Sequence, residues 1–181
     1  MDGKHRKTQK TLKRIEEAFV SLLNETSLPK ITVASLTKKG RVSRSAFYLH
    51  YRGIDDLFGK LVSSCFAGAE RFAGPESFSF FPLFRSLFTC FARKQAFLLG
   101  ASKPENRLGF EKRLKESLEP ILAKSLLFYR GSYLAIPIPF ATEALASAFF
   151  GILMEYVEDG FQKTPAQLAS YFALIYEGKG S

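Results

Sequence analysis

Residues 31–61 read ITVASLTKKGRVSRSAFYLHYRGIDDLFGKL, and this stretch decides the fold. Thr32 can cap a short helix, since its hydroxyl can accept a hydrogen bond from a free amide of the first helical turn. Gly40 marks the expected end of that helix, because glycine readily adopts left-handed backbone angles. Ser43 then caps a second short helix that ends near His50. Two short helices joined by a tight turn predict a helix-turn-helix.

The second of these helices divides its side chains between an inner and an outer side. Phe47 is the expected inward anchor. Four polar or aromatic residues fall on other faces and are free to meet a partner: Arg44, Ser45, Tyr48 and His50. In a helix-turn-helix, the second helix is the one that lies in the major groove of DNA.

Residues 31–61 resemble the DNA-binding signature of the TetR family of bacterial transcriptional regulators. The signature is a capping Thr, a turn ending in Val-Ser, a helix with Tyr and His, and an acidic-Leu pair. The residues that match it are Thr32, Val42, Ser43, Ser45, Phe47, Tyr48, His50, Tyr51, Asp56 and Leu57. Three positions differ: Arg41 stands where Gly is common, Ala46 where Thr is common, and Ile54 where Lys is common.

The resemblance implies a set of DNA contacts. Phosphates would be held by Thr32, Tyr48, His50 and Arg52, with Arg52 supplying the contact that a Lys at position 54 makes in the family. Arg44 and Ser45 would face base edges, where Arg most often reads guanine. With Ser43, the predicted DNA-binding residues are Thr32, Ser43, Arg44, Ser45, Tyr48, His50 and Arg52. For His50 the alternative is a surface histidine that stabilises a helix end.

The distribution of charge agrees with a polyanionic partner. Of the 181 residues, residues 1–60 hold 13 Lys or Arg against 6 Asp or Glu, and residues 61–181 hold 13 against 11. The basic excess therefore lies in the segment that carries the helix-turn-helix, as expected for a nucleic-acid-binding surface. The alternative is that these lysines only keep the protein soluble.

Composition argues against several other classes of protein. The two cysteines, Cys65 and Cys90, are too few for a disulfide scaffold and suit a reducing compartment. We see no signal peptide and no confident membrane span, so we expect a cytoplasmic protein. Two histidines cannot build the usual metal clusters, and no Gly-rich phosphate loop is present. We therefore predict no enzyme activity, no metal and no cofactor.

Two helices flank the motif in the predicted N-terminal half. Residues 1–7 read as a basic tail, disordered in the free protein and able to order on DNA. Helix 1 should run from about Thr8 to Asn24, with an apolar face that packs on the helix-turn-helix. Helix 4 should start at the acidic pair after Gly53 and run to about Phe72, where Gly74-Pro75 follows.

The C-terminal half is rich in phenylalanine and predicts a helical domain with an apolar interior. Rings recur at helical spacing between Phe78 and Phe97. Plain core packing explains most of them, and the functional alternative is an apolar cavity for a small ligand. The candidate pocket residues are Phe84, Phe88, Phe91, Leu118 and Phe149.

The last two helices suggest a dimer. Phe140 to Val157 is apolar almost all round, so both faces need burial, one of them against a second subunit. A final helix starts at Thr164-Pro165. The candidate interface residues are Ala144, Ala148, Gly151, Leu168 and Phe172. This end also resembles the C-terminal domain of regulators of dihydroxyacetone kinase operons, which implies a four-helix dimer interface.

The sequence thus predicts an all-α protein with a DNA-binding domain at 1–52 and an effector-binding and dimerisation domain at 53–181. We expect a homodimer that binds a palindromic double-stranded operator at half-sites about one helical turn apart. A small apolar effector would release it by tilting helix 4. Two alternatives stay open: a basic helical module that binds a partner protein or an anionic surface, and a DNA-binding regulator controlled by a protein co-regulator.

Overall fold

The computed structural model describes residues 2–72, 79–128 and 136–177, and these residues are mainly α-helical, with no strand among them. Short 3-10 helices lie at Leu28–Lys30 and Ala69–Phe72. The α-helices, in chain order, are α1 Asp2–Glu25, α2 Val33–Gly40, α3 Arg44–Tyr48, α4 Ile54–Ser63, α5 Phe80–Ala92, α6 Gln95–Ala101, α7 Pro104–Phe128, α8 Ile138–Glu158 and α9 Pro165–Glu177. The predicted all-α class is confirmed.

The helices form two compact units. The first unit is residues 1–61 with 96–108, and the second is residues 62–95 with 109–181. Compactness therefore places α6 and the start of α7 with the helix-turn-helix, although they lie 35 or more residues beyond it in the chain. The predicted boundary at residue 52 rests on the local motif alone and leaves this segment in the second domain.

The first unit is built around α1. Ile15, Phe19 and Leu23 on one side of α1 are completely buried. The Phe58 ring of α4 lies between two of the unit's other rings, 6.2 Å from Phe19 and 5.9 Å from Phe97 between centroids. Burial of large apolar side chains such as these stabilises a fold by about 1.5–3 kcal/mol each.

Asn106 is the polar brace of the first unit. Its side chain is 2% exposed. Its Oδ1 accepts a hydrogen bond from the Leu28 amide at 2.7 Å, and its Nδ2 donates to the Gly100 carbonyl oxygen at 2.8 Å. One amide thus satisfies two backbone groups that are 72 residues apart in the chain, and it fixes α6 beside the connection that follows α1.

The second unit has an aromatic core between α5, α8 and α9. The ring centroids of Phe84 and Phe172 are 3.6 Å apart, and the ring centroid of Phe149 lies 5.4 Å from that of Phe84. Phe110 of α7 joins this core through Phe150, with centroids 5.9 Å apart. α9 begins at Pro165 and is capped, as predicted, by Thr164, whose Oγ1 accepts a hydrogen bond from the Gln167 amide at 3.3 Å. That helix start is confirmed.

Two helix bounds differ from the prediction. α1 begins at Asp2 rather than near Thr8, so the basic segment continues the helix, and an acid at its first turn suits the helix dipole. α4 ends at Ser63 rather than near Phe72. The amides of Cys65 and Phe66 bond to carbonyls three residues back, which tightens the chain into turns. Gly68 then adopts a φ of +81°.

Among the described residues, α8 is long and apolar enough to cross a membrane by length and composition alone. Part of it is buried within the second unit, and a core helix passes the same test. This feature is therefore weak evidence for a membrane span.

Candidate nucleic-acid interface

Side-chain caps define both helices of the motif. Thr32 Oγ1 accepts a hydrogen bond from the Ser35 amide at 3.1 Å, and the Ser35 hydroxyl accepts one from the Thr32 amide at 3.1 Å. Ser43 Oγ accepts a hydrogen bond from the Ala46 amide at 3.0 Å at the start of α3. The predicted capping roles of Thr32 and Ser43 are confirmed, and each cap contributes about 1 kcal/mol.

The turn between α2 and α3 contains a left-handed residue, and it is Arg41 rather than Gly40. Arg41 has φ 49° and ψ 48°, whereas Gly40 is the last residue of α2. Glycine at position 40 serves close packing instead: a Cβ there would lie 3.2 Å from the Ala18 Cβ and 3.2 Å from the Arg14 carbonyl oxygen. The Arg14 guanidinium also donates to the carbonyl oxygen of Arg41. Contacts from α1 therefore stabilise the turn.

Phe47 anchors α3, as predicted, and is completely buried. Its ring lies 5.4 Å from the Tyr48 ring in an edge-on arrangement and 5.5 Å from the Tyr51 ring. Tyr48 nevertheless keeps 58% of its surface exposed, and the next residue, Leu49, keeps 79%. A fixed backbone thus presents a large aromatic and a large aliphatic side chain to solvent, and Leu49 was absent from the predicted contacts.

The structure brings the predicted DNA-binding residues to one helix-turn-helix and leaves them accessible. Arg44 lies exposed at the first position of α3. Its guanidinium is therefore available to an outside partner. The exposed residues of the predicted set are Thr32, Ser43, Arg44, Ser45, Tyr48 and Arg52, and His50 is half-exposed.

A charged network ties the end of α3 to the start of α4. Asp56 Oδ2 accepts a hydrogen bond from the Arg52 amide at 2.9 Å and lies 3.0 Å from Lys60 Nζ. These donors, first the Arg52 amide and then Lys60, hold the pKa of Asp56 below its ordinary value. Lys60 also donates to the His50 carbonyl oxygen at 2.8 Å. Lys60 was missed in the sequence, although its position four residues after Asp56 was a usable signal.

Tyr51 links this network to α1. Burial raises the pKa of Tyr51 to about 12, and the nearby Glu16 carboxylate adds to the effect. The Tyr51 hydroxyl lies 3.4 Å from Glu16 Oε1. Since Lys60 Nζ also lies 5.1 Å from the Tyr51 ring centroid, one ring connects α1, α3 and α4.

Comparison with known proteins assigns the chain to a family. A TetR-family model described as a transcriptional regulator C-terminal region matches residues 79–178, more than half of the chain. The chain belongs to the TetR family of transcriptional regulators. Family membership makes it a regulator of transcription and not an enzyme. Among curated protein sequences, none matches the chain.

Solved structures of TetR-like regulators share the fold over nearly the whole chain. A TetR transcriptional regulator from Streptococcus agalactiae 2603V is 26% identical with a TM-score of 0.58, covering 95% of this chain and 96% of that one. The dihydroxyacetone kinase operon activator DhaS is 19% identical with a TM-score of 0.64, covering 94% and 96%. The fatty acid degradation regulator FadR from Bacillus halodurans is 13% identical with a TM-score of 0.62, covering 91% and 93%.

The residues predicted to line an effector pocket of this TetR-family protein form closely packed core. All of them are completely buried: Phe84, Phe88, Phe91, Leu118 and Phe149. The ring of Phe149 lies 4.8 Å from that of Phe88 and 6.0 Å from that of Phe91. In this arrangement the rings fill the space between them, and an effector role for them stays a prediction.

The predicted dimer residues fall on two different sides of their helices. Ala144 and Gly151 of α8 are exposed, and Ala148 is half-exposed. Leu168 and Phe172 of α9 are instead buried within the subunit, at 3% and 0% exposure. The apolar residues that α9 leaves exposed, together with one at the start of α8, are Phe140, Tyr171, Leu174 and Ile175.

Proposed function

We propose that this TetR-family regulator binds double-stranded DNA as a homodimer, with α3 of each subunit in a major groove. The observation that carries the proposal is the helix-turn-helix itself. α3 is anchored by a buried Phe47, while Arg44, Ser45 and Tyr48 remain exposed. A rigid helix that presents accessible Arg and polar side chains suits readout of base edges and phosphates.

Each candidate residue has a role that its surroundings support. Arg44 and Ser45 would read base edges from the first turn of α3. Tyr48 and Arg52 would hold phosphates, and Ser43 keeps its hydroxyl proton available while its oxygen caps α3. The Thr32 hydroxyl is less available to a phosphate, because it lies 3.2 Å from the Ser35 hydroxyl and also accepts a hydrogen bond from the Ser35 amide. His50 would reach a phosphate from its half-exposed position.

The homodimer would form through α8 and α9. α8 exposes small residues, Ala144 and Gly151, which permit close approach of a second helix. α9 exposes Leu174 by 50% and Ile175 by 63%. Because Leu168 and Phe172 already pack inside the subunit, the proposed interface uses the opposite side of α9. Contiguous exposed apolar groups of this kind mark interaction surfaces.

We further infer that the protein represses transcription in the cytoplasm and is released by a small effector. An effector can shift the DNA-reading heads only if it binds one conformation better than the other. The close packing of Phe84, Phe88 and Phe149 favours a second candidate for control, a protein co-regulator that needs no interior pocket. Ligand-dependent release of DNA, in the absence of any other protein, distinguishes the two.

The experiment is fluorescence anisotropy with the DNA upstream of the gene, with scrambled duplex as competitor. We expect binding that survives competitor and weakens steeply with salt. The Arg44→Ala variant should lose discrimination between the two duplexes, because a bidentate contact from Arg to guanine contributes about 1–3 kcal/mol of specificity. Lys112→Ala is the matched control, since Lys112 is an exposed cation on α7. Equal displacement by both duplexes would contradict the proposal.

A further inference from the structure

A cleft in the second unit lies between the 3-10 helix Ala69–Phe72 and one face of α5. Its volume is about 380 Å³, which falls within the range of small-molecule sites. It is lined by polar and cationic side chains, with Phe72 and Pro82 as apolar parts of its wall. Neither the helix-turn-helix nor the residues predicted for an apolar effector pocket contribute to it.

Three arginines line the cleft: Arg71 from the 3-10 helix, and Arg85 and Arg93 from α5 and its C-terminal end. All three side chains are exposed. Aromatic rings help to position two of them. The Arg71 guanidinium carbon lies 4.7 Å from the centroid of Phe72, and that of Arg85 lies 5.8 Å from the centroid of Phe81.

The sequence of α5 explains why these cations share a face. Arg85, Thr89 and Arg93 are spaced by four residues, so they form one stripe along the helix. Two like charges eight residues apart are separated by about 12 Å along the axis, and neither is neutralised from within the helix. At this distance salt largely screens the repulsion between two exposed cations, so the stripe costs the helix little, and an anion bound between the two charges would be attracted by both.

Hydroxyl and thiol groups complete the lining. Thr89 donates its proton to the Arg85 carbonyl oxygen at 2.7 Å, so it has none to offer. Ser86 also lines the cleft, and its hydroxyl is a neutral group that can donate a hydrogen bond to a ligand. Cys90 is half-buried, and its Sγ lies 3.9 Å from the Ser64 carbonyl oxygen. A hydrogen bond with Cys65, aided by the charges of Lys94 and Arg93, lowers the pKa of Cys90 to about 6.

We propose that this cleft binds a small organic oxyanion, a carboxylate or a phosphate ester, through the guanidinium groups of Arg71, Arg85 and Arg93. Guanidinium groups match the planar or tetrahedral oxygens of such anions with paired hydrogen bonds. Among the described residues that line the cleft, three cations outnumber the one thiol, which carries at most one negative charge. Ser86 adds a neutral donor, and the apolar wall accommodates a short carbon chain. The site goes beyond the proposed DNA-binding function and does not depend on it.

Cys90 provides a reporter at the cleft. Its thiolate reacts with iodoacetamide, an uncharged reagent, whereas Cys65 is buried. The experiment measures the rate of Cys90 alkylation in the full-length protein, without DNA, as inorganic phosphate or succinate is added. Sodium chloride at matched ionic strength is the reference. We expect saturable protection of at least about fivefold by phosphate, by succinate, or by both, and the better protector identifies the ligand class.

Variants locate the effect. Arg85→Gln should weaken the protecting anion by about tenfold, whereas Lys163→Gln, which removes an exposed cation between α8 and α9, should leave it unchanged. Cys90→Ser abolishes the label and confirms its position. Titration calorimetry of the same anions gives a readout that does not need the thiol. The proposal is overturned if neither anion protects Cys90 or gives saturable heat, or if protection survives in Arg85→Gln.

Discussion

Replacing Asn106 by alanine should lower the free energy of unfolding of the first unit. The substitution removes the acceptor of the Leu28 amide and the donor to the Gly100 carbonyl oxygen, and both groups stay in place. Each buried backbone group left without a partner costs about 1–3 kcal/mol. Leu28 is only half-buried, so water can reach part of that side of the brace. We therefore expect a loss of about 3 kcal/mol in the free energy of unfolding.

Urea unfolding followed by circular dichroism measures this loss. With a denaturant dependence of about 2 kcal/mol per molar, the midpoint of the transition that reports on the first unit should fall by about 1.5 M. Gln9→Ala is the matched control, since it removes an exposed side-chain amide from α1 in the same unit. The free energy of unfolding of this control should change by less than about 0.5 kcal/mol. Similar midpoints for the two variants would show that the hydrogen bonds of Asn106 do not stabilise the first unit.

Asn106→Asp tests the direction of the two hydrogen bonds. A carboxylate can still accept from the Leu28 amide, but its second oxygen would face the Gly100 carbonyl oxygen. Only the protonated acid can donate there, so the folded state should raise the carboxyl pKa above its unfolded value. The stability of this variant is then present at low pH and is lost as pH rises through the folded pKa. A stability gap from wild type that does not widen between about pH 4 and pH 7 would contradict the assigned geometry.

Three further predictions concern single residues. Arg41→Gly should be more stable than Arg41→Ala by about 1 kcal/mol in thermal unfolding, because only glycine relieves the left-handed backbone at this position; the opposite order would contradict the turn geometry. One of the seven tyrosines should titrate at about pH 12 by phenolate absorbance, and this titration step should be absent in Tyr51→Phe. Because the pKa of Tyr51 is raised above its ordinary value, the stability that its neutral form provides is present below about pH 10 and is lost as the pH rises toward 12. Thr164→Ala should cost about 1 kcal/mol by removing the cap of α9, whereas Thr26→Ala, just beyond the end of α1, serves as a threonine control with an expected effect under about 0.5 kcal/mol.

The helix-turn-helix was predictable because its signals are local. Thr32 and Ser43 act as caps within three residues of their partners, and Phe47 supplies the anchor within its own helix. The all-α class followed from helical spacing of apolar residues for the same reason. Where a residue's role depends on neighbours in sequence, the residue type and its spacing carry enough information.

Long-range packing was not predictable in the same way. Nothing in the sequence near Asn106 shows that it bonds to Leu28, 78 residues away. The residue type of Gly40 predicts a left-handed helix end, whereas its role in the structure is to let α1 approach closely. Likewise Leu168 and Phe172 are apolar whether they face the core or a partner, and only the packing of α5 and α9 decides between the two.

In the proposed function, paired α3 helices read a palindromic operator. Its most direct test is selection of random-sequence duplexes by the purified wild-type protein, followed by sequencing of the bound fraction. We expect enrichment of an inverted repeat whose half-site centres lie about one helical turn apart. A bound fraction with the same composition as the starting library, or a single site without an inverted repeat, would mean that the protein does not read a palindrome as a dimer.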